Sequence, residues 1–92
     1  MSEEETYKAT VRIYGEPYTI KGAVPPEHMQ AVAALVDERM EQISRKAPHL
    51  SISKVAVLAS FHLAHDLMKI QEDYDDLIKL LEDSHASKIT NP

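Results

Sequence analysis

The segment 60-SFHLAHD-66 holds the residues of this 92-residue chain best suited to chemistry: His62, His65 and Asp66, two imidazoles and a carboxylate spaced i, i+3, i+4. On a helix that spacing gathers all three on one side, as a metal site built from two histidines and an acid requires. The chain has no cysteine and no second ligand cluster at a recognisable spacing, so solvent-facing or interface histidines are the reading adopted, with no metal. A serine nucleophile fares no better, because Ser60 and His62 point in directions about 200° apart on a helix. Asp73, Asp75 and Asp76 lie among further acids, where a solvated helix face is favoured over acid–base catalysis. Gly15 and Gly22 are the only glycines, and each marks a strand end rather than a phosphate-binding loop. The sequence therefore assigns no catalytic residue and no cofactor, and the chain is expected not to be an enzyme. The bases Arg12, Arg39, Arg45, Lys46 and Lys54 are left as docking candidates for an acidic partner.

The charge distribution narrows the partner class. Residues 66–83 hold seven acids against Lys69 and Lys79, so this stretch alone carries −5, which is also the net charge of the whole chain. A nucleic-acid binder clusters Lys and Arg to neutralise phosphates, and an acidic tail repels them, so no nucleic-acid partner is expected. Mean hydropathy is −0.33 and no continuous apolar run is long enough to span a bilayer. With no small-molecule pocket motif either, the expectation is a cytoplasmic protein that acts through protein contacts.

The elements that must carry those contacts are legible in the periodicities. Tyr7, Ala9, Val11 and Ile13 alternate with Lys8, Thr10, Arg12 and Tyr14, the period of a half-buried strand. Gly15-Glu16 suits a two-residue type II′ turn, which would pair Ile13 with Tyr18 and Val11 with Ile20. In that register Pro17 is a blemish, because it lacks an N–H that the ladder would use. A two-stranded ribbon is marginal alone and must lay its apolar face on a helix. Pro25-Pro26-Glu27 opens that helix, which runs to about Lys46 with an apolar stripe of Val32, Leu35, Val36, Met40 and Ile43. Val11, Ile13, Tyr18, Ile20, Val32, Leu35 and Val36 form the expected hydrophobic face of this head.

A second helix opens at 50-LSISK-54, capped by Ser51 or Ser53, and meets no Gly or Pro before about Asp83. Along it Leu63, Leu67, Ile70, Tyr74, Leu77 and Leu81 step by four, three, four, three and four, the spacing of a coiled-coil seam. Full burial of six such side chains is worth roughly 9 to 18 kcal/mol per chain as an upper bound, which a monomer forgoes. The predicted fold is α+β: an N-terminal β-hairpin and short helix forming a small head, followed by a long C-terminal coiled-coil helix. Its expected parts are a flexible N-terminus (1–6), a ββα head (7–50) packing on the start of helix 2, an oligomerisation helix (51–83) and a flexible tail (84–92).

Taken together, 10-TVRIYGEPYTIKG-22, the Pro-Glu helix start and 50-LSISKVAVLASFHLAHDL-67 resemble the ZapA family of bacterial cell-division proteins over about residues 8 to 83. Two motifs carry the resemblance: a turn glycine followed by Tyr-Thr-Ile-x-Gly, and Leu-x-x-x-Lys-Val-Ala-Val-Leu-Ala at the opening of the long helix. The resemblance implies a non-enzymatic protein that binds FtsZ, the tubulin-like GTPase of the division ring, and bundles its protofilaments at mid-cell. It also implies a homodimer and a dimer of dimers, an antiparallel dumbbell-like tetramer, with Arg12, Arg39, Arg45, Lys46 and Lys54 as candidate FtsZ contacts. Glu16 follows the turn glycine where some relatives carry a base, so that contact does not transfer. The alternative reading is a small dimeric coiled-coil adaptor or regulator that docks another protein through its hairpin.

Overall fold

The computed structural model of the chain describes the backbone of residues 5–90 and the side chains of residues 5–84. Strands β1 (Tyr7–Ile13) and β2 (Glu16–Gly22) form an antiparallel hairpin, followed by helix α1 (Pro26–Lys46) and helix α2 (Ile52–Thr90). This is the α+β arrangement expected. The chain divides into two compact units, Met1–Ser60 and Phe61–Pro92, so the first turns of α2 belong with the hairpin and α1.

The hairpin turns one residue earlier than its glycine suggests. Tyr14 (φ 54°) and Gly15 (φ 83°) both take left-handed backbone, the signature of a type I′ turn rather than II′. Ile13 then pairs with Glu16, Val11 with Tyr18 and Ala9 with Ile20, which corrects the expected pairing by two residues but keeps the same face apolar. The earlier turn also removes the difficulty at Pro17. In this register Ile13 and Glu16 exchange the ladder bonds nearest the turn, and Pro17, opposite Arg12, has its nitrogen directed away from β1.

Helix α1 begins after Pro25, whose extended backbone (φ −65°, ψ 155°) leads into Pro26 at the first position, where no N–H is needed. Glu27 in the first turn and Arg45 and Lys46 in the last complement the helix dipole, and the Ala47 N–H closes the end on the Ile43 carbonyl. The buried residues of α1 are Met29, Ala33, Met40 and Ile43, with Val36 half-buried between them, a stripe at spacings of four, three, four and three. Val32 and Leu35, expected in the head's apolar face, stand about half exposed on its flank. Ala33 is small enough to let β1 approach α1 closely, and this places Val11 against Met29 and Ala33 in one core cluster.

The second cluster joins α1 to the start of α2 through Met40, Ile43, Val55 and Ala59, with Ile13, Tyr14, Val36, Leu50 and Ala56 packed around it. Ile13 touches both clusters and ties the hairpin to both helices. The α2 cap is Ser51, whose Oγ accepts the Lys54 N–H at 3.3 Å while its carbonyl accepts the Val55 N–H at 3.0 Å. Helix α2 continues to Thr90 rather than ending near Asp83. No Gly or Pro occurs from Ser84 to Thr90, and the first residue that resists helix is Pro92. Of the expected loose ends at 1–6 and 84–92, residues 1–4 and 91–92 lie outside the described residues, while the backbone of 84–90 is helical.

Candidate functional site

Every odd-numbered residue of β1 from Tyr7 to Ile13 points to the face that α1 covers, so the even-numbered ones share the outer face with their partners on β2. That outer face reads Lys8, Thr10 and Arg12 on one strand and Lys21, Thr19 and Pro17 opposite them. It holds three cations and no acid, in a chain whose net charge is −5. Thr10 and Thr19 hydroxyls meet at 3.2 Å between the charges, and the Arg12 Nη2 donates to the Gly15 carbonyl at 2.9 Å, fixing the guanidinium over the turn. Lys8 stands directly across from Lys21. Like charges in that position destabilise a hairpin, so the pair is costly to the fold and suited to an anion. Among the described residues none of these three cations is ion-paired.

The structure scatters the other predicted bases. Arg45 and Lys46 are exposed in the last turn of α1, and Lys54 is exposed in the first turn of α2, on the other side of the 47–51 connection. Arg39 is half-buried and engaged within the protein. Only Arg12 lies on the cationic hairpin face. Lys8 and Lys21 were missed because they became neighbours only through the register; the period-two alternation of β1 and β2 was the signal that held them.

The opposite side of the hairpin presents apolar surface. Tyr18 and Ile20 on β2 are 45% and 41% exposed, although their partners on β1 are covered by α1. Ile20, Val24, Val32 and Val36 line one apolar cleft of about 290 Å³, and Tyr18, Ile20, Met40 and Ile52 line another of about 300 Å³. Val11 and Ile13 are the members of the expected head face that the chain buries or half-buries with Val36. Tyr18, Ile20, Val32 and Leu35 remain open within one chain.

In the unit Phe61–Pro92 the seam residues Leu67, Ile70, Tyr74, Leu77 and Leu81 are all more than half exposed, and Leu63 is half-buried. The acids from Glu72 to Asp83 on the same helix are exposed, with Lys69 and Asp73 paired at 3.8 Å, an i, i+4 contact of little energetic weight, while Asp66 is half-buried and engaged within the protein. Neither His62 nor His65 joins a metal set: among the described residues no group of three His, Cys, Asp or Glu side chains is placed to hold an ion. The Ser60 hydroxyl donates to the Ala56 carbonyl at 2.9 Å, and the His62 ring packs edge-on to Phe61. The hydrogen bond from Tyr7 to Glu5, then desolvation, then the Glu27 charge push the Tyr7 phenol above its usual range. Among the described residues no helix is long and apolar enough to cross a membrane.

This arrangement can hold partners by charge on one hairpin face and by apolar surface on the other, with a further apolar seam on α2. Comparison with known proteins gives it a context. The sequence model of the family described as "Cell division protein ZapA" matches residues 9–91. The cell division protein ZapA of Geobacillus sp. (strain WCH70) is 44% identical over 81 residues, 88% of this chain and 93% of that one. Its counterpart in Bacillus subtilis (strain 168) is 41% identical over 83 residues, covering 90% and 98%. Among solved structures, a ZapA mutant dimer from Geobacillus stearothermophilus superposes with a TM-score of 0.69 at 41% identity, over 89% of this chain and 95% of that one. A conserved protein from Pseudomonas aeruginosa PAO1 shares the fold at a TM-score of 0.73 and 22% identity, over 89% and 91%.

Proposed function

The chain belongs to the ZapA family of cell division proteins, and from that premise we propose that it binds FtsZ and bundles its protofilaments at the division ring without catalysing a reaction. The observation that carries this reading is the seam from Leu67 to Leu81, which one chain leaves more than half exposed. Apolar surface of that extent is covered by further copies, first as a homodimer and then as a dimer of dimers. An assembly with several heads links neighbouring filaments by avidity, so each head contact can be weak. The cationic face of Lys8, Arg12 and Lys21 supports docking to an acidic filament surface, with Arg39, Arg45, Lys46 and Lys54 as the further contacts proposed. The protein acts in the cytoplasm, at mid-cell, where the filaments assemble.

Co-sedimentation with purified FtsZ and GTP tests the reading. The expected outcome is a larger pelleted fraction and thick bundles by negative-stain microscopy, both weakened by added salt because the contacts are charged and exposed. Unchanged pelleting together with single filaments removes the bundling function and leaves the adaptor reading.

A further inference from the structure

On the outer face of the hairpin, residues 8, 10 and 12 of β1 pair with 21, 19 and 17 of β2, and all six side chains are exposed. Ile13 and Glu16 beside the turn exchange ladder bonds, so alternation makes 12 with 17, 10 with 19 and 8 with 21 the non-hydrogen-bonded pairs. In such pairs the Cα atoms are about 4.5 Å apart and opposite side chains stand closest. The 3.2 Å contact between the Thr10 and Thr19 hydroxyls is the mark of that approach. The ladder therefore holds Lys8 and Lys21 together although they repel, and no acid belongs to these three pairs. Arg12 lies about 13 Å along the strand from the lysines, with the two hydroxyls midway. Unspent donors run the length of this line. Arg12 gives one N–H to the Gly15 carbonyl, which fixes the guanidinium and leaves four more. One threonine hydroxyl donates to the other, so one O–H remains between the charges.

We propose that this face is a binding site for a short polyphosphate chain, with one phosphate clasped between Lys8 and Lys21, the free threonine hydroxyl on its oxygens, and Arg12 on a phosphate further along. A carboxylate carries one charge and leaves one of two adjacent lysines uncompensated. A phosphate group carries up to about two charges and three acceptor oxygens, enough for both ammonium groups and the hydroxyl at once. The planar fork of Arg12 suits a second phosphate, which it can bind by two parallel N–H···O bonds. Because the cations lie in a line, a chain of phosphates engages all three, whereas a single phosphate reaches only the lysine end. None of the three pairs contains an aromatic side chain on which a base could stack, so a nucleotide is held through its phosphates alone. This site goes beyond the FtsZ reading and stands without it. Where both hold, a bound polyphosphate covers the cations that dock the filament and competes with it.

Titration of the full-length chain with sodium tripolyphosphate at low salt, followed by NMR and calorimetry, tests the site. Residues 8–12 and 17–21 are expected to shift together, and affinity to rise at least tenfold from orthophosphate to tripolyphosphate. Adenosine triphosphate bound no more tightly than tripolyphosphate identifies the phosphate chain as the whole recognised group; a tenfold preference for the nucleotide overturns that. Lys8→Gln with Lys21→Gln removes a repulsive pair, so the variant is expected to unfold no earlier than the parent yet to bind tripolyphosphate at least tenfold more weakly. Lys69→Gln with Lys79→Gln takes the same charge from α2 and is expected to leave binding within about twofold of the parent. Equal weakening by the two double variants, no shift at residues 8–12 and 17–21, or no gain from orthophosphate to tripolyphosphate overturns the site. FtsZ is absent from these measurements, so their failure leaves bundling as it stands, and a failure to bundle leaves the polyphosphate site as it stands.

Discussion

Tyr14 holds a left-handed backbone (φ 54°), a conformation that strains an L side chain by about 1–2 kcal/mol. Two contacts with α1 hold it there: its N–H on Asp37 and its hydroxyl, which donates to Ser44 Oγ at 2.8 Å. Removing the hydroxyl with Tyr14→Phe leaves a half-buried Ser44 without that partner, a loss of about 1 kcal/mol. Thermal unfolding at matched concentration is expected to fall by about 4–8 °C. The cationic face gives a prediction of opposite character. Lys21→Glu turns a repulsive cross-strand contact with Lys8 into an attractive one, so the melting temperature is expected to hold or rise slightly. Co-sedimentation with FtsZ is expected to fall several-fold in the same variant, a pairing of effects that damage to the fold does not produce.

Each element shows a local signal that leaves alternatives open, which the structure settles. Two serines suit the start of α2, and the structure selects Ser51, whose Oγ receives the Lys54 N–H. Ser51→Ala is expected to cost about 1 kcal/mol and to lower the melting temperature. Ser53→Ala, inside the first turn and exposed, is expected to stay within about 0.5 kcal/mol of the parent. On α1 the period of the apolar residues was legible, but the choice between two overlapping stripes was not. Val32 and Leu35 are larger than Ala33, so sequence favours them for the core. Close approach of β1 reverses that preference, because only a small side chain at position 33 lets Val11 reach the helix. The hairpin likewise showed its two strands and its apolar face, while its register followed from the Tyr14 contacts to α1.

For the whole molecule the governing fact is apolar surface that one copy leaves open. Leu67→Glu combined with Leu77→Glu places charges on the seam while sparing the Met40, Ile43, Val55 and Ala59 cluster, which lies in the other unit. The variant is expected to keep a cooperative unfolding transition, to show a lower mass by light scattering, and to lose FtsZ bundling. A buried unpaired charge costs several kcal/mol, enough to dissolve an interface of a few leucines. An unchanged mass with intact bundling places the assembly surface elsewhere on the protein.

By itself the sequence determined the number, type and order of the elements, the coiled-coil spacing of α2 and the family. All of these are written in periods of two, 3.6 and seven residues, or in short motifs, and need no knowledge of what packs against them. Only the tertiary structure decided the hairpin pairing, the stripe of α1 that is buried, and the gathering of Lys8, Arg12 and Lys21 on one face. Those outcomes depend on contacts between residues more than twenty positions apart, such as Tyr14 with Asp37 and Ser44. A local period leaves them open because each alternative satisfies it equally well.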